Sequence, residues 1–236
     1  MTGKLYGIGI GPGDPGLVTL KAKGLLERVD VICLPRASSG EGGIARQILE
    51  GLLSSPPPLL ELDFPMVRDR ARLREYWGRA AEQVSGLLGQ GKEVAFVTLG
   101  DPLLYSTYNY LLQALREQHP GLEVETVPGV SSISAAAALA GLPLAQGEER
   151  LAILPAPPDG EGLREVLARF DTVVVMKVGD RLPALRRALE ELGLAGKAVL
   201  VSRAGLEGER VVRGLQSLKD NSVGYLSVVI IRRSEG

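Results

Sequence analysis

Cysteine and histidine are almost absent from this sequence of 236 residues. The single cysteine, Cys33, has no partner for a disulfide, and the single histidine, His119, lies in the turn-like segment EQHPG. Most transition-metal sites in proteins are built from these two residue types. We therefore expect no disulfide and no metal site. Cys33 is interpreted as a buried strand thiol and His119 as a loop residue.

Aromatic residues, an excess of charge of one sign and long apolar runs are also missing. Aromatics make up 4% of the chain, which leaves few of the stacking surfaces that single-stranded nucleic acids require. The formal net charge of −1 gives no overall field that attracts nucleic acid or an anionic membrane. No stretch reaches the roughly 18 apolar residues of a membrane span, and the first residues lack a signal-peptide pattern. These absences predict a cytoplasmic protein with no nucleic-acid or membrane partner.

The sequence does contain a regular alternation of apolar strands and amphipathic helices. In the first half, strand segments such as KLYGIGI, DVICLP and EVAFVTLG alternate with helical segments such as the run from Arg70 to Gly89. This order predicts a mostly parallel sheet. In the second half, the glycine-rich stretch from Gly205 to Tyr225 is interpreted as hairpin-like, which predicts a mixed sheet. We predict an α/β protein of two α/β domains, residues 1–127 and 128–236.

The loop GPGDPG after the first strand matches the G-x-G-x-x-G spacing of dinucleotide-binding proteins. Two features argue against a bound pyrophosphate. Pro12 and Pro15 remove two N–H donors, and the second strand ends in CLPRAS, without the carboxylate that binds the adenosine ribose. Arg36 in that segment is still compatible with a 2′-phosphate. The alternatives are a strand-to-helix turn with Asp14 as the helix N-cap, and a dinucleotide-dependent oxidoreductase.

Two further glycine turns follow predicted strands. The segment VTLGDPLLYST places Gly100, Asp101 and Pro102 at the carboxyl end of a strand, where open α/β sheets bind their ligands. The segment TVPGVSSISAAAA combines a Pro-Gly turn with two hydroxyl groups and a helix of very small residues. Each turn taken alone is also explained as an ordinary β-turn or as packing.

In their order along the chain, LYGIGIGPGDPGLVTLKA, GDPLLYST, VPGVSS, VVVMKV and VSRAG resemble the tetrapyrrole (corrin and porphyrin) methylase family. The resemblance covers nearly the whole chain. It implies an S-adenosylmethionine-dependent enzyme, typically a homodimer, with the cofactor in a cleft between two α/β domains. The segments TLGDPLLYSTYNYLL and AGLPLAQGEERLAILPA are similar to the branch that methylates C20 of precorrin-2 or cobalt-factor II in cobalamin (vitamin B12) biosynthesis. The alternatives are another tetrapyrrole carbon, such as the uroporphyrinogen III methylase step, and a non-catalytic cofactor-binding module.

The resemblance also implies a set of cofactor contacts. The first glycine loop is expected to shape the cleft and not to hold a phosphate. Main-chain groups of Met176 are implied to contact the adenine, with Ala204 near it, where this sequence has SRAG in place of the Gly-Thr or Ala-Thr of other branches. The implied cofactor-binding residues are Pro12, Gly100, Asp101, Leu104, Tyr105, Ser131, Ser132, Met176 and Ala204.

Catalysis is expected to need few side chains, because a sulfonium is already a strong electrophile and a meso carbon of a reduced tetrapyrrole is electron-rich. No His, Cys or carboxylate stands out as the base that removes the C20 proton, so no catalytic residue is assigned. The carboxylates of the substrate predict basic side chains around the cleft, and Arg36 and Lys177 are the predicted substrate contacts. Other basic residues near strand ends are Arg150 and Arg203, and the terminal Arg232 and Arg233 are interpreted as solubilising charges.

Overall fold

A computed structural model describes residues 3–36, 41–65, 69–157, 162–218 and 223–233, except for the side chains of residues 41 and 42. The chain forms two compact units, Met1–Ser131 and Ser132–Gly236. The sequence placed this division at residues 127/128. The turn that contains Gly129 stays with the first unit because its backbone packs directly against Gly9.

The first unit contains a five-stranded parallel sheet. Neighbouring strands are parallel throughout, which confirms the parallel sheet predicted from the alternation of strands and helices. The neighbouring inner strands Leu5–Gly9 and Val94–Thr98 are buried along their whole length, as parallel strands covered on two faces should be. In the order β3-β2-β4-β1-β5, the strands are β1 (Leu5–Gly9), β2 (Val31–Arg36), β3 (Leu59–Asp63), β4 (Val94–Thr98) and β5 (Val124–Val127).

Helices cover both faces of this sheet. The helices α1 (Leu20–Leu26) and α2 (Glu41–Leu52) pack on one face, and α3 (Arg70–Gly89) and α4 (Tyr108–Gln118) pack on the other. The neighbouring strands β1 and β4 therefore send their following helices to opposite faces. Such a point is a topological switch point, and the carboxyl ends of its strands are where open α/β sheets bind ligands.

The first loop differs from the prediction in one respect. Asp14 does not cap a long helix but a three-residue 3-10 turn, Pro15–Leu17, through a bond of 2.7 Å that its Oδ1 accepts from the Gly16 N–H. The extended backbone of Val18, with ψ 131°, ends this turn. The helix α1 has its own N-cap, Thr19, and starts after it.

The second unit contains a five-stranded mixed sheet, as predicted. The strands β6 and β7 are parallel, whereas β10 is antiparallel to both β7 and β8. Within the stretch from Gly205 to Tyr225, interpreted as hairpin-like, the described residues form one strand, β9, which pairs antiparallel with the preceding β8, and residues 219–222 lie outside the described residues. In the order β6-β7-β10-β8-β9, the strands are β6 (Leu151–Pro155), β7 (Thr172–Met176), β8 (Ala198–Ser202), β9 (Arg210–Arg213) and β10 (Ser227–Arg232).

Three helices pack on the second sheet. The helices α6 (Leu163–Arg169) and α7 (Leu182–Glu191) share one core with alternate residues of the strands. The small-residue helix α5 (Ser132–Ala140) packs against β8 and β10. Core packing therefore explains its alanines. In the described part of the chain, no helix has the length and apolarity needed to cross a membrane.

Arg232 is structural, so its interpretation as a solubilising charge is wrong, whereas Arg233 is exposed. Arg232 is only 7% exposed, and its guanidinium donates to both carboxylate oxygens of Glu149, at 2.8 and 2.9 Å, and to the Pro143 carbonyl. Arg233 donates to two carbonyls at the end of α6. The position of Arg232 inside a covered strand explains the difference, because a buried charge requires a paired opposite charge.

Candidate functional site

The carboxyl ends of β1, β4 and β5 bring the three glycine turns together. Gly11 and Gly100 are bridged, and the Gly100 N–H donates to the Gly11 carbonyl at 2.7 Å. A Cβ on Gly9 would lie 2.5 Å from the Gly100 carbonyl oxygen, and one on Gly129 would lie 2.8 Å from the Gly9 Cα. Only glycine allows such contact between backbones. The edge at the switch point is therefore built from tightly packed main chain.

Asp101 joins the second and third turns. One of its carboxylate oxygens accepts the Leu103 N–H at 2.9 Å, and the other accepts the Gly129 N–H at 3.1 Å. The bond to Gly129 connects the loop after β4 with the turn after β5. Each carboxylate oxygen has a further lone pair, so the half-buried side chain can also accept a hydrogen bond from a ligand's ammonium group.

The loop after Asp101 presents apolar side chains at this edge. Leu103 is 62% exposed and Tyr105 is 42% exposed, so this loop offers apolar surface. The backbone of Tyr105 is left-handed, with φ 52°. Leu104 is half-buried, and its N–H lies 3.4 Å from the Asp101 carbonyl oxygen.

Buried hydroxyl groups support this loop from beneath. The Ser106 hydroxyl donates to Thr98 Oγ1 at 2.9 Å and accepts the Tyr108 N–H at 3.1 Å. The hydroxyls of Tyr108 and Thr126 are hydrogen-bonded at 2.9 Å, and burial raises the pKa of Tyr108. These residues were not predicted from the sequence. The available signal was Ser106 two residues before the first helical residue, a position from which hydroxyls often bind the backbone.

The first glycine loop offers little to a phosphate group. The Gly16 and Leu17 N–H groups already donate to the side chain and the carbonyl of Asp14, at 2.7 and 2.9 Å. Pro12 and Pro15 have no N–H, and the 3-10 turn is too short to act as a helix N-terminus. This geometry argues against the pyrophosphate of a dinucleotide.

In the second unit, the structure brings Met176 and Ala204 to the same edge of the sheet. Both β7 and β8 run antiparallel to β10, which lies between them, so their carboxyl ends are at the same edge of the sheet. Met176 is the last residue of β7, and its carbonyl accepts the Ala156 N–H at 2.8 Å. Ala204 follows Arg203, which has φ 54°. The remaining predicted positions, Ser131 and Ser132, are half-buried at the end of the first unit and the start of the second.

Arg36 lies at the carboxyl end of β2, as predicted, but carboxylates already surround it. Its guanidinium donates to Glu61 at 2.9 Å and lies 3.4 Å from Asp63. Arg46 binds the same Glu61 at 2.7 Å, and Arg46 and then Arg36 lower the pKa of that carboxyl. A substrate carboxylate at Arg36 would have to compete with these partners.

The basic candidates of the second unit lie at opposite edges of the sheet. Lys177 directly follows β7, and its Nζ lies 5.2 Å from the centre of the Tyr225 ring. Arg150 precedes β6 and pairs with Asp171 at 3.8 Å, so it lies at the amino edge, away from Lys177. Across the described ranges, no group of three His, Cys, Asp or Glu side chains is placed to hold a metal ion.

The parallel sheet of the first unit, with its three glycine turns at the carboxyl ends of β1, β4 and β5, is typical of open α/β proteins. Proteins of this class bind their ligands at the carboxyl ends of the strands. A sequence model of the tetrapyrrole (corrin/porphyrin) methylases matches residues 4–218. The chain belongs to this family, which confirms the resemblance seen in the sequence.

Relatives with assigned names match nearly all of the chain. A probable cobalt-precorrin-2 C(20)-methyltransferase of Methanocaldococcus jannaschii is 40% identical over 98% of this chain and 96% of its own. A precorrin-2 C(20)-methyltransferase of a Sinorhizobium species is 35% identical over 97% and 95%, respectively. A cobalt-precorrin-2 C(20)-methyltransferase of Salmonella typhimurium is 32% identical over 99% and 98%.

Solved structures show the same fold. A cobalt precorrin-4 methyltransferase superposes with a TM-score of 0.75 at 24% identity, covering 97% of this chain and 94% of that one. A uroporphyrin-III C-methyltransferase from Thermus thermophilus, complexed with S-adenyl homocysteine, gives a TM-score of 0.70 at 25% identity, covering 97% and 92%.

Proposed function

We propose that this protein is an S-adenosylmethionine-dependent C-methyltransferase that methylates C20 of precorrin-2 or cobalt-factor II in cobalamin biosynthesis. One observation carries the proposal: relatives named for this reaction are 32–40% identical over nearly the full length of both chains.

The residues of the first unit suit the methyl donor. S-Adenosylmethionine carries an ammonium group and a short apolar methylene chain next to its sulfonium, and when bound it supplies an electrophilic methyl group. The Asp101 carboxylate has lone pairs for the ammonium, and Leu104 and Tyr105 offer apolar surface beside it. Pro12, Gly100 and Ser131 complete the contacts assigned to this unit. In the second unit, the contacts are assigned to Ser132, Met176 and Ala204.

The contribution of the chain to the reaction is alignment. Holding two reactants in line can lower a barrier by about 7–11 kcal/mol in favourable cases. The contacts of Gly9 with Gly100 and Gly129, together with the bonds of Asp101, give a rigid edge suited to this task. Neither His119, at the far end of α4, nor Cys33, inside β2, lies at this edge, so no catalytic residue is assigned.

The decisive experiment locates the transferred methyl group. The protein is incubated anaerobically with isotope-labelled S-adenosylmethionine and either precorrin-2 or cobalt-factor II, and the product is analysed by NMR. We expect label at C20, and the ratio of the two rates shows whether metal-free or cobalt-bound substrate is used. Label at another carbon would reject the proposed branch. Binding of the donor without any turnover would favour a non-catalytic module.

A binding experiment separates the proposal from the oxidoreductase alternative. Isothermal titration calorimetry with S-adenosylhomocysteine, NAD and NADP is expected to show binding of the first ligand only, because the first loop has few N–H groups for a pyrophosphate. Tight binding of a nicotinamide nucleotide, with none of S-adenosylhomocysteine, would overturn the methyltransferase proposal.

The proposal includes a homodimer in the cytoplasm, as the family resemblance implies. Sedimentation velocity is expected to give twice the chain mass of 25.1 kDa. A species of a single chain mass at micromolar concentration would remove the dimer from the proposal.

A further inference from the structure

The loop that follows β4 is tied back to the strand from which it starts. Thr98 is the last residue of β4, and eight positions later the Ser106 hydroxyl donates to Thr98 Oγ1 at 2.9 Å. The ends of this loop, residues 98–106, are therefore close together, as in the compact surface loops that often carry function. Nearer its beginning, Asp101 joins the loop to the turn after β5. Hydrogen bonds thus hold the loop at both ends.

Between these two ties lie the apolar side chains assigned to the methyl donor, Leu104 and Tyr105. Tyr105 is 42% exposed, and its backbone is left-handed, with φ 52°. A residue with a side chain loses free energy in this conformation, and the conformation persists only where the surrounding structure determines it. Ser106 directly follows Tyr105 in the chain. The place of the Ser106 backbone therefore affects where the Tyr105 ring lies.

The two bonded hydroxyls are buried among apolar residues. Ser106 is 7% exposed and Thr98 is 6% exposed, and Thr98 is the only polar residue of β4. The Ser106 oxygen also accepts the Tyr108 N–H at 3.1 Å. Replacing both partners of a buried bond by apolar groups of the same shape is often nearly neutral for stability, whereas a satisfied polar pair selects one arrangement. The pair therefore contributes more to the conformation of the loop than to the stability of the fold.

We propose that Ser106 is a positioning residue for the methyl donor and that it acts through its bond to Thr98. This inference rests on the proposed function. The bond fixes the end of the loop and so sets where Leu104 and Tyr105 present their apolar surface, beside the carboxylate of Asp101. Without the bond the loop samples other arrangements, and the affinity for the donor falls in proportion to the fraction of molecules in the competent one.

The test uses pairs of variants that separate the hydroxyl from the packing. Thr98→Val removes the hydroxyl and keeps the shape of the side chain, whereas Thr98→Ser keeps the hydroxyl and removes a methyl group. Ser106→Ala removes the donor itself. Thr172→Val is the matched control, because Thr172 is fully buried at the amino end of β7 and its hydroxyl has no hydrogen-bond partner among the described residues.

Three measurements are made on each variant. Calorimetry gives the affinity for S-adenosylhomocysteine, and urea unfolding gives the stability. Initial rates, measured anaerobically, give the KM for S-adenosylmethionine and, separately, for precorrin-2. The Thr98 variants change a single hydroxyl or methyl group, so they decide the test if Ser106→Ala does not fold.

Thr98→Val is expected to weaken S-adenosylhomocysteine binding about fivefold, the factor that one typical net hydrogen bond represents, and Ser106→Ala at least as much. The KM for S-adenosylmethionine should rise by a similar factor and the KM for precorrin-2 should not change, because the loop is assigned to the donor. Thr98→Ser and Thr172→Val should bind like the unmodified protein. Adding Thr98→Val to Ser106→Ala should cause no further loss, because the same bond cannot be lost twice.

Two results would overturn the inference while leaving the methyltransferase proposal intact. One is an unchanged affinity in the folded Thr98→Val variant, whatever its stability, which would make the hydroxyl pair purely structural. The other is an equal loss of affinity in Thr98→Ser and Thr98→Val, which would assign the effect to packing. Failure of the unmodified protein to bind S-adenosylhomocysteine would instead contradict the proposed function itself.

Discussion

Cys33 shows how burial alone sets the chemistry of a side chain. It lies in the middle of β2 with no exposed surface, and desolvation raises its pKa to about 12. The thiolate is the reactive form of cysteine, so we expect the native protein to resist 5,5′-dithiobis(2-nitrobenzoic acid) at mildly alkaline pH. The same reagent should react promptly in guanidinium, as followed by absorbance. Fast labelling of the native protein would contradict the buried position.

Gly7 in β1 lies against the ring of Tyr108, and this contact can be tested by a substitution. A Cβ at this position would overlap the ring of Tyr108, which is fully buried. Overpacking of this kind costs about 1–3 kcal/mol, so Gly7→Ala should lower the urea midpoint of unfolding. Gly86→Ala is the matched control, because Gly86 is exposed in α3 with open space around it and alanine there should stabilise by about 0.5–1 kcal/mol. Equal midpoints for both variants would show that the ring does not occupy this place.

At the scale of elements, the features that were predicted correctly from the sequence are those that local residue patterns determine. The limits of α3 agree with the predicted ones, because apolar periodicity and flanking residues coincide there. The first loop contains two competing caps, Asp14 and Thr19, and local reasoning could not show that each serves a different turn. The left-handed backbone of Arg203 was not predictable either, and the bond that its N–H donates to the Leu226 carbonyl joins residues far apart along the chain.

The Asp101 side chain, which joins the turns after β4 and β5, yields a prediction about ligand binding. Asp101 accepts one bond at each carboxylate oxygen, whereas asparagine has a single accepting oxygen. Asp101→Asn therefore loses the bond to Leu103 or to Gly129 and should weaken S-adenosylhomocysteine binding about tenfold, the effect of one lost charged hydrogen bond. Asp14→Asn can keep its single bond to Gly16 and is the control. Calorimetry measures both, and equal affinities would remove Asp101 from the binding role.

At the scale of the whole molecule, ion pairs join residues of opposite charge within each unit. The first unit pairs Lys4 and Lys21 with Glu125, and the second buries Arg232 against Glu149. The sequence indicated the balance of charges but not their partners, because most of these pairs join residues that are far apart along the chain.

Glu125 links this charge pattern to stability against acid. Hydrogen bonds from Lys21 and Lys4, at 2.7 and 3.0 Å, lower its pKa from 4.5 to about 2. A depressed folded-state pKa means that the stabilisation is complete above the ordinary value and is lost as the pH falls from there towards about 2. The melting temperature should therefore fall over this range, and Glu125→Gln should lower it at neutral pH and flatten the fall.

Glu148→Gln, in the exposed loop before β6, is the control for the Glu125→Gln variant. Since the three side chains are partly exposed, added salt should shrink the difference between Glu125→Gln and the unmodified protein. Superimposable pH profiles of those two proteins would show that the lysines do not stabilise the carboxylate.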